Sequence, residues 1–151
     1  MNTEARFKAD KAFLQNHALF GGFSDEDLDV VFPLMAEETF ERGENIVSEG
    51  ELGDRLYFIM SGSVEVLKRA DCGNCLITTL KAGDAFGEME LIDIQCRSAT
   101  VRAAEPVVAL TLRNIDMFRL YKKNLEVFAR ILLNVAREIS RRLRRMDERA
   151  C

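Results

Sequence analysis

Histidine is nearly missing from this chain: the 151 residues include one, His17. Metal centres built on several imidazole ligands cannot be assembled from one histidine. No apolar run reaches the ~20 residues that cross a bilayer as a helix. The first 25 residues contain Glu4, Asp10 and Asp25 and no continuous apolar core of the secretory kind. The expectation is a cytoplasmic protein with no membrane partner. Cysteine is sparse too: Cys72, Cys75, Cys96 and Cys151 read as free thiols rather than a disulfide framework. Cys72-Gly73-Asn74-Cys75 has the spacing of a redox or metal motif but lacks a second pair and a nearby histidine. It reads as a hairpin turn between two strands. There is no low-complexity segment and no clear internal repeat. No nucleophile–base pair can be assembled, so the chain is expected to be non-enzymatic, with no metal and no cofactor.

What is present suits one soluble domain. The chain is 48% hydrophobic and 30% charged, and it is long enough to bury a core. Its net charge of −4 hides an asymmetry. Residues 1–111 carry 10 basic and 20 acidic side chains, whereas residues 112–151 carry 11 basic and 5 acidic. An acidic body is a poor nucleic-acid surface.

The hydrophobic period changes twice along the chain. Phe7, Phe13, Leu14 and Leu19 recur at roughly helical spacing over residues 4–19, and Gly21-Gly22 stops that segment. His17 reads as a helix-end residue. Ser24 begins a second helix, with Asp27 in the capping-box position and Leu28, Val31, Phe32 and Met35 as its apolar face. The charge run from Asp25 to Glu38 reads as a solvated face.

From Thr39 to Leu112 the spacing turns strand-like and is broken by glycines. Strands are expected at Glu38–Glu41, Asn45–Ser48, Leu56–Met60, Ser63–Arg69, Leu76–Lys81, Ala99–Ala103 and Val107–Leu112. Val64 and Val66, and Leu76, Thr78 and Leu80, alternate as strands with one solvated face do. Short strands with regular glycine turns indicate a small barrel or jelly roll. Ile115–Tyr121 reads as a short helix. A long one follows, carrying Leu125, Phe128, Leu132, Val135, Ile139, Leu143 and Met146 in a near-heptad seam with one slip. At 1.5 Å per residue it runs ~33 Å. Ile131, Leu133 and Ala136 widen the stripe enough for two partners, so a homodimer through Leu125–Met146 is expected.

One stretch, Phe86 to Val101, carries the chemistry. Gly87 precedes a turn of helix over Glu88–Ile92 and lets the backbone approach a ligand. The first N–H groups of such a turn lack internal partners and attract anions. Arg97 adds a planar, permanently charged fork suited to phosphate oxygens. Glu88 accepts only, and calls for donors such as sugar hydroxyls. A small ligand with both a phosphate and a hydroxyl suits the pair.

Phe86-Gly87-Glu88, Leu91 and Arg97-Ser98-Ala99-Thr100 together resemble the phosphate-binding cassette of cyclic-nucleotide-binding domains. Such domains occur in catabolite-activator-type regulators, regulatory subunits of cyclic-AMP-dependent kinase and cyclic-nucleotide-gated channels. Phe40-x-x-Gly43-x-x-Ile46-x-x-x-Gly50 and Tyr57-x-Ile59-x-x-Gly62-x-Val64-x-Val66 are similar to the family's strand and glycine pattern. The resemblance implies a mainly β fold with flanking helices: a small double-stranded β-helix (jelly-roll) barrel with N-terminal helices and a long C-terminal helix. It implies a single domain, with helices over 1–38, the barrel over 39–112 holding the cassette at 86–100, and helices over 113–148. It implies that Arg97 pairs with the cyclic phosphate and Glu88 with the ribose 2′-hydroxyl. Phe86, Gly87 and the backbone around Met89, Ser98 and Ala99 complete the anion site. Arg141 and Arg142 fall where the family's long helix meets the base. The ligand is expected to be cyclic AMP rather than cyclic GMP, and the output a signal through the C-terminal helix to a protein effector.

Three other readings compete. A metal enzyme of the cupin type shares the barrel but needs several histidines. A DNA-binding regulator would follow the long helix with a winged helix-turn-helix; here Arg141-Arg142-Leu143-Arg144-Arg145 reads as a solvated basic face, so DNA is not expected as a partner of this chain alone. The chain could instead be a truncated relative of such regulators, acting as a protein-interaction module without ligand.

Overall fold

The computed structural model describes residues 11–71 and 73–150. They form two compact units: residues 34–117, and residues 11–33 with 118–150.

The first unit is built of strands: β1 (Ala36–Phe40), β2 (Asn45–Val47), β3 (Leu52–Gly53), β4 (Arg55–Ser61), β5 (Ser63–Ala70), β6 (Gly73–Lys81), β7 (Ala85–Phe86), β8 (Gln95–Cys96), β9 (Thr100–Ala103) and β10 (Val107–Arg113). They pair into two four-stranded antiparallel sheets, ordered β1-β10-β4-β7 and β2-β9-β5-β6, and a two-stranded ribbon, β3-β8. Val47, Tyr57, Ile59, Val64, Phe86, Val101, Ala103, Val107 and Ala109, drawn from both larger sheets, form one buried cluster. Burying the inward residues of two facing sheets is what holds a sandwich together.

The mainly β architecture with flanking helices and a long C-terminal helix is the one expected. The sheets are not closed into a barrel, however. At their edges β7 and β2 span only two and three residues. The chain leaves β7 at Gly87 to enter a helix, so no continuous ladder closes the ring. The strands β3, β7 and β8 were not legible in the sequence, because two residues contain no period.

A second difference concerns β6. The expected alternation of Leu76, Thr78 and Leu80 holds only at one end: Leu80 packs against the core, whereas Leu76 is 56% exposed. A bulge between Val66 and Leu67 shifts the register of the β5-β6 pair, and β6 lies at the sheet edge. The two strands are joined as a hairpin, with Ala70 opposite Gly73, as the turn chemistry indicates. Cys72 itself lies outside the described residues.

The helical unit begins with residues 11–15. Residues 4–10 of the expected first helix lie outside the described residues. A 3₁₀ turn, Ala18–Phe20, follows, and His17 caps it by accepting from the Leu19 N–H through Nδ1 at 3.1 Å. Helix α1 (Asp25–Val31) starts at Ser24 with a complete capping box: Ser24 Oγ accepts from the Asp27 N–H, and the Asp27 carboxylate accepts from the Ser24 N–H. Helix α2 (Glu88–Ile92) belongs to the sheet unit. Helices α3 (Asn114–Lys123) and α4 (Leu125–Ala150) end the chain.

Within the helical unit α4 buries Val127, Ile131, Asn134 and Val135. The Asn134 side-chain amide donates to the carbonyls of Leu19 and Gly21 at 2.9 and 3.1 Å, so its polar group is satisfied. Arg130 pairs with Asp27 and, at 2.7 Å, with Glu126. The buried stripe shares Val135 with the heptad seam and otherwise runs beside it. Of the seam, Leu125, Leu132 and Leu143 are 60%, 37% and 56% exposed, as is the neighbouring Leu133 at 50%. The side chain of Met146 lies outside the described residues.

Candidate functional site: a buried arginine between glycines and glutamates

Everything around Arg97 lies in the sheet unit. Strand β4 supplies Tyr57, whose ring stacks on Phe86 at 4.9 Å between centroids, and Phe86 ends β7. The chain then turns at Gly87, with φ 87°. A side chain would be strained there, and a Cβ would also lie 2.6 Å from Arg97 Nη1 and 2.7 Å from the Arg55 carbonyl oxygen. Helix α2 follows, burying Glu88, Glu90 and Leu91 while Met89 and Ile92 stay half exposed. The Asn114 amide donates to the Leu91 carbonyl at 2.7 Å, tying the end of α2 to the start of α3.

Arg97 follows β8 and is 7% exposed. Its backbone is pinned at both ends: its N–H donates to the Glu51 carbonyl at 2.7 Å, and its own carbonyl accepts from the Gly50 N–H at 2.9 Å. The guanidinium packs against Gly53, where a Cβ would come within 2.3 Å of Nε. Nη2 donates to the Arg55 carbonyl at 2.9 Å, and Nη1 stands 3.5 Å from Glu90 Oε2. Tyr57 lies beneath, 5.8 Å from ring centroid to Cζ. An Arg55 hydrogen bond holds the Asp54 carboxyl below its usual range, and the positive charge of Arg97 adds to that. Burial raises the Tyr57 phenol. A cation this deep needs anionic or carbonyl partners, and it has them.

The structure sets Gly87 against the Arg97 guanidinium and stacks Phe86 on the Tyr57 ring that lies under it, while Glu88 is buried next to Gly87 in the chain. Ser98 follows Arg97 as an exposed residue and Ala99 is partly exposed, while Met89 is half exposed on the outer side of α2. Arg141 and Arg142 lie in the helical unit, exposed on α4 and paired with Glu138 at 3.1 and 3.6 Å. Glu90, which the sequence did not single out, places its carboxylate against Arg97. Sequence reasoning missed Glu90, Gly53 and the Arg55 carbonyl. One signal for Glu90 was available: a second acid in an otherwise apolar turn, Met89-Glu90-Leu91-Ile92. Among the described residues no three potential metal ligands gather at one point.

The family model for the cyclic nucleotide-binding domain matches residues 37–124. The chain belongs to the cyclic nucleotide-binding domain family. It is 35% identical over 108 residues to a cAMP-dependent protein kinase regulatory subunit of Debaryomyces hansenii, covering 72% of this chain and 23% of that one. It is 32% identical over 106 residues to a cGMP-dependent protein kinase of Eimeria tenella, covering 70% and 10%. The crystal structure of a cyclic nucleotide-binding domain from Methylobacillus flagellatus superposes with a TM-score of 0.81 at 28% identity, covering 93% of this chain and 83% of that one. The chain thus spans about a quarter of the length of the curated kinase regulatory subunit it matches. Among the described residues no helix is long and apolar enough to cross a membrane.

Proposed function

We propose that this chain is a regulatory module that binds a cyclic nucleotide at Arg97 and answers with its C-terminal helices. Arg97 meets the cyclic phosphate and Glu88 accepts from the ribose 2′-hydroxyl. Gly87 and the backbone at Met89, Ser98 and Ala99 line the anion site, and Phe86 forms its floor. Arg141 and Arg142 are the candidates for meeting the base. The observation that carries this reading is a guanidinium buried between two glycines inside a domain of this family.

Cyclic AMP is the ligand we favour over cyclic GMP, since it is the commoner ligand in the family; Ser98 does not discriminate the two. The signal runs from α2 through the Asn114 amide into α3 and α4. The module is regulatory rather than catalytic. It acts as a homodimer through the exposed seam of α4, and its output is a protein effector rather than DNA.

Calorimetric titration with cyclic AMP and cyclic GMP side by side tests the reading. Saturable binding that Arg97→Ala weakens at least ~100-fold, the scale of losing a buried charged partner, is the expected result. A second reading, an interaction module without ligand, is favoured by one observation: Glu90 already stands against Arg97. Absence of heat with either nucleotide selects that reading.

A further inference from the structure

The ion pair inside the cassette has a consequence for what this site accepts. Arg97 is the cation to which a ligand phosphate would go, and Glu90 faces the same Nη1 edge at 3.5 Å. Both side chains are nearly closed to water, at 6% and 12% exposure. A phosphate arriving at Arg97 therefore meets a fixed carboxylate on the shared cation, in surroundings where charges are weakly screened. The contact is long for a charge-assisted hydrogen bond, which typically spans ~2.7–2.9 Å. Glu90 is therefore a loose partner that a ligand can displace or crowd, and it does not occupy the guanidinium fully. Nη2 is held apart from this contest by the Arg55 carbonyl at 2.9 Å. The repulsion from Glu90 scales with the charge on the ligand. A cyclic phosphodiester carries one negative charge. A phosphomonoester carries close to two at neutral pH, ~1.5–2.

We infer that Glu90 sets the charge selectivity of this site: as a built-in counter-ion to Arg97 it lowers the affinity for every phosphate, and it rejects phosphomonoester dianions more strongly than phosphodiester monoanions. This rests on the proposed nucleotide-binding function and adds the ligand class that the site excludes. The linear nucleotide 5′-AMP is the natural competitor of cyclic AMP, with the same base and sugar and one more charge. Shape alone would separate the two equally with or without Glu90; charge would not.

The test is titration of the full chain and of Glu90→Gln with cyclic AMP and with 5′-AMP at neutral pH. Glutamine keeps the shape of the side chain and removes its charge. Glu90→Ala is the second variant should Glu90→Gln not fold, with thermal melting as the check on both. The expected result is about a tenfold gain for cyclic AMP in Glu90→Gln and about a hundredfold gain for 5′-AMP, since like-charge cost grows with ligand charge. Equal gains for the two ligands overturn the selectivity. Unchanged or weaker binding of cyclic AMP makes Glu90 a positioning residue for Arg97 and overturns the inference while leaving the proposed function intact. Binding that appears only in Glu90→Gln supports the inference and assigns the unmodified chain to the ligand-free reading. Silence from both proteins with both ligands overturns both proposals.

Discussion

Arg97 is held by backbone as much as by side chains. Two glycines clear the space it occupies, and a carbonyl, a carboxylate and an aromatic face surround its charge. The arginine, Glu88 and Gly87 could be singled out from the sequence, because residue type and spacing carry their chemistry. The role of Gly53 could not, because the contact joins residues 44 positions apart and depends on how β3 lies against the Arg97 side chain. Glu90 was hidden for another reason: an acid on a short helical turn reads as solvated until its burial is known. Tyr57, stacked on Phe86 beneath the guanidinium, yields a prediction at this scale. Burial raises its phenol above 10.0 in the folded chain. The folded state therefore favours the neutral form. Its contribution is complete below the unfolded value and is lost as pH rises through the folded one. Melting temperature should fall more steeply for the native chain than for Tyr57→Phe between about pH 9 and 11. Parallel curves would show that the phenol contributes nothing of the kind.

Among the elements, those with a long period or defined caps were legible. Ser24 and Asp27 announced α1, and seven strands were placed to within a few residues. The two-residue strands were not legible, since pairing rather than pattern defines them. Helix α4 shows where one-dimensional reading divides. Its apolar residues were identified, but the stripe that the fold buries is Val127, Ile131 and Val135, which takes in one position of the heptad seam and leaves Leu125, Leu132 and Leu143 exposed. Two stripes on one helix look like a single broad one until a partner is in place. The Asn114–Leu91 hydrogen bond gives α2 a direct hold on the start of α3. Saturating cyclic nucleotide should therefore change hydrogen exchange across residues 113–146, slowing or speeding amides by about tenfold or more, as a population shift of ~1.4 kcal/mol does. Exchange that is identical with and without nucleotide would refute signalling through these helices.

At the scale of the whole molecule, the exposed Leu125, Leu132, Leu133 and Leu143 are what a second copy would cover. Sedimentation equilibrium should give twice the chain mass of 17.1 kDa, and the double variant Leu132→Glu, Leu143→Glu should return it to one chain. A native chain that sediments as a monomer at high micromolar concentration would contradict the dimer. The facing sheets were legible as a β fold with flanking helices, whereas their failure to close was not. Closure depends on pairing at the sheet edges, where β7 and β2 span only two and three residues. The central claim is narrower than any of this: the cassette binds a cyclic nucleotide through Arg97. Its most direct test is calorimetric titration of the chain with cyclic AMP at neutral pH. The account predicts one site per chain that Arg97→Ala weakens at least ~100-fold, and binding that persists unweakened in a folded Arg97→Ala variant would contradict it.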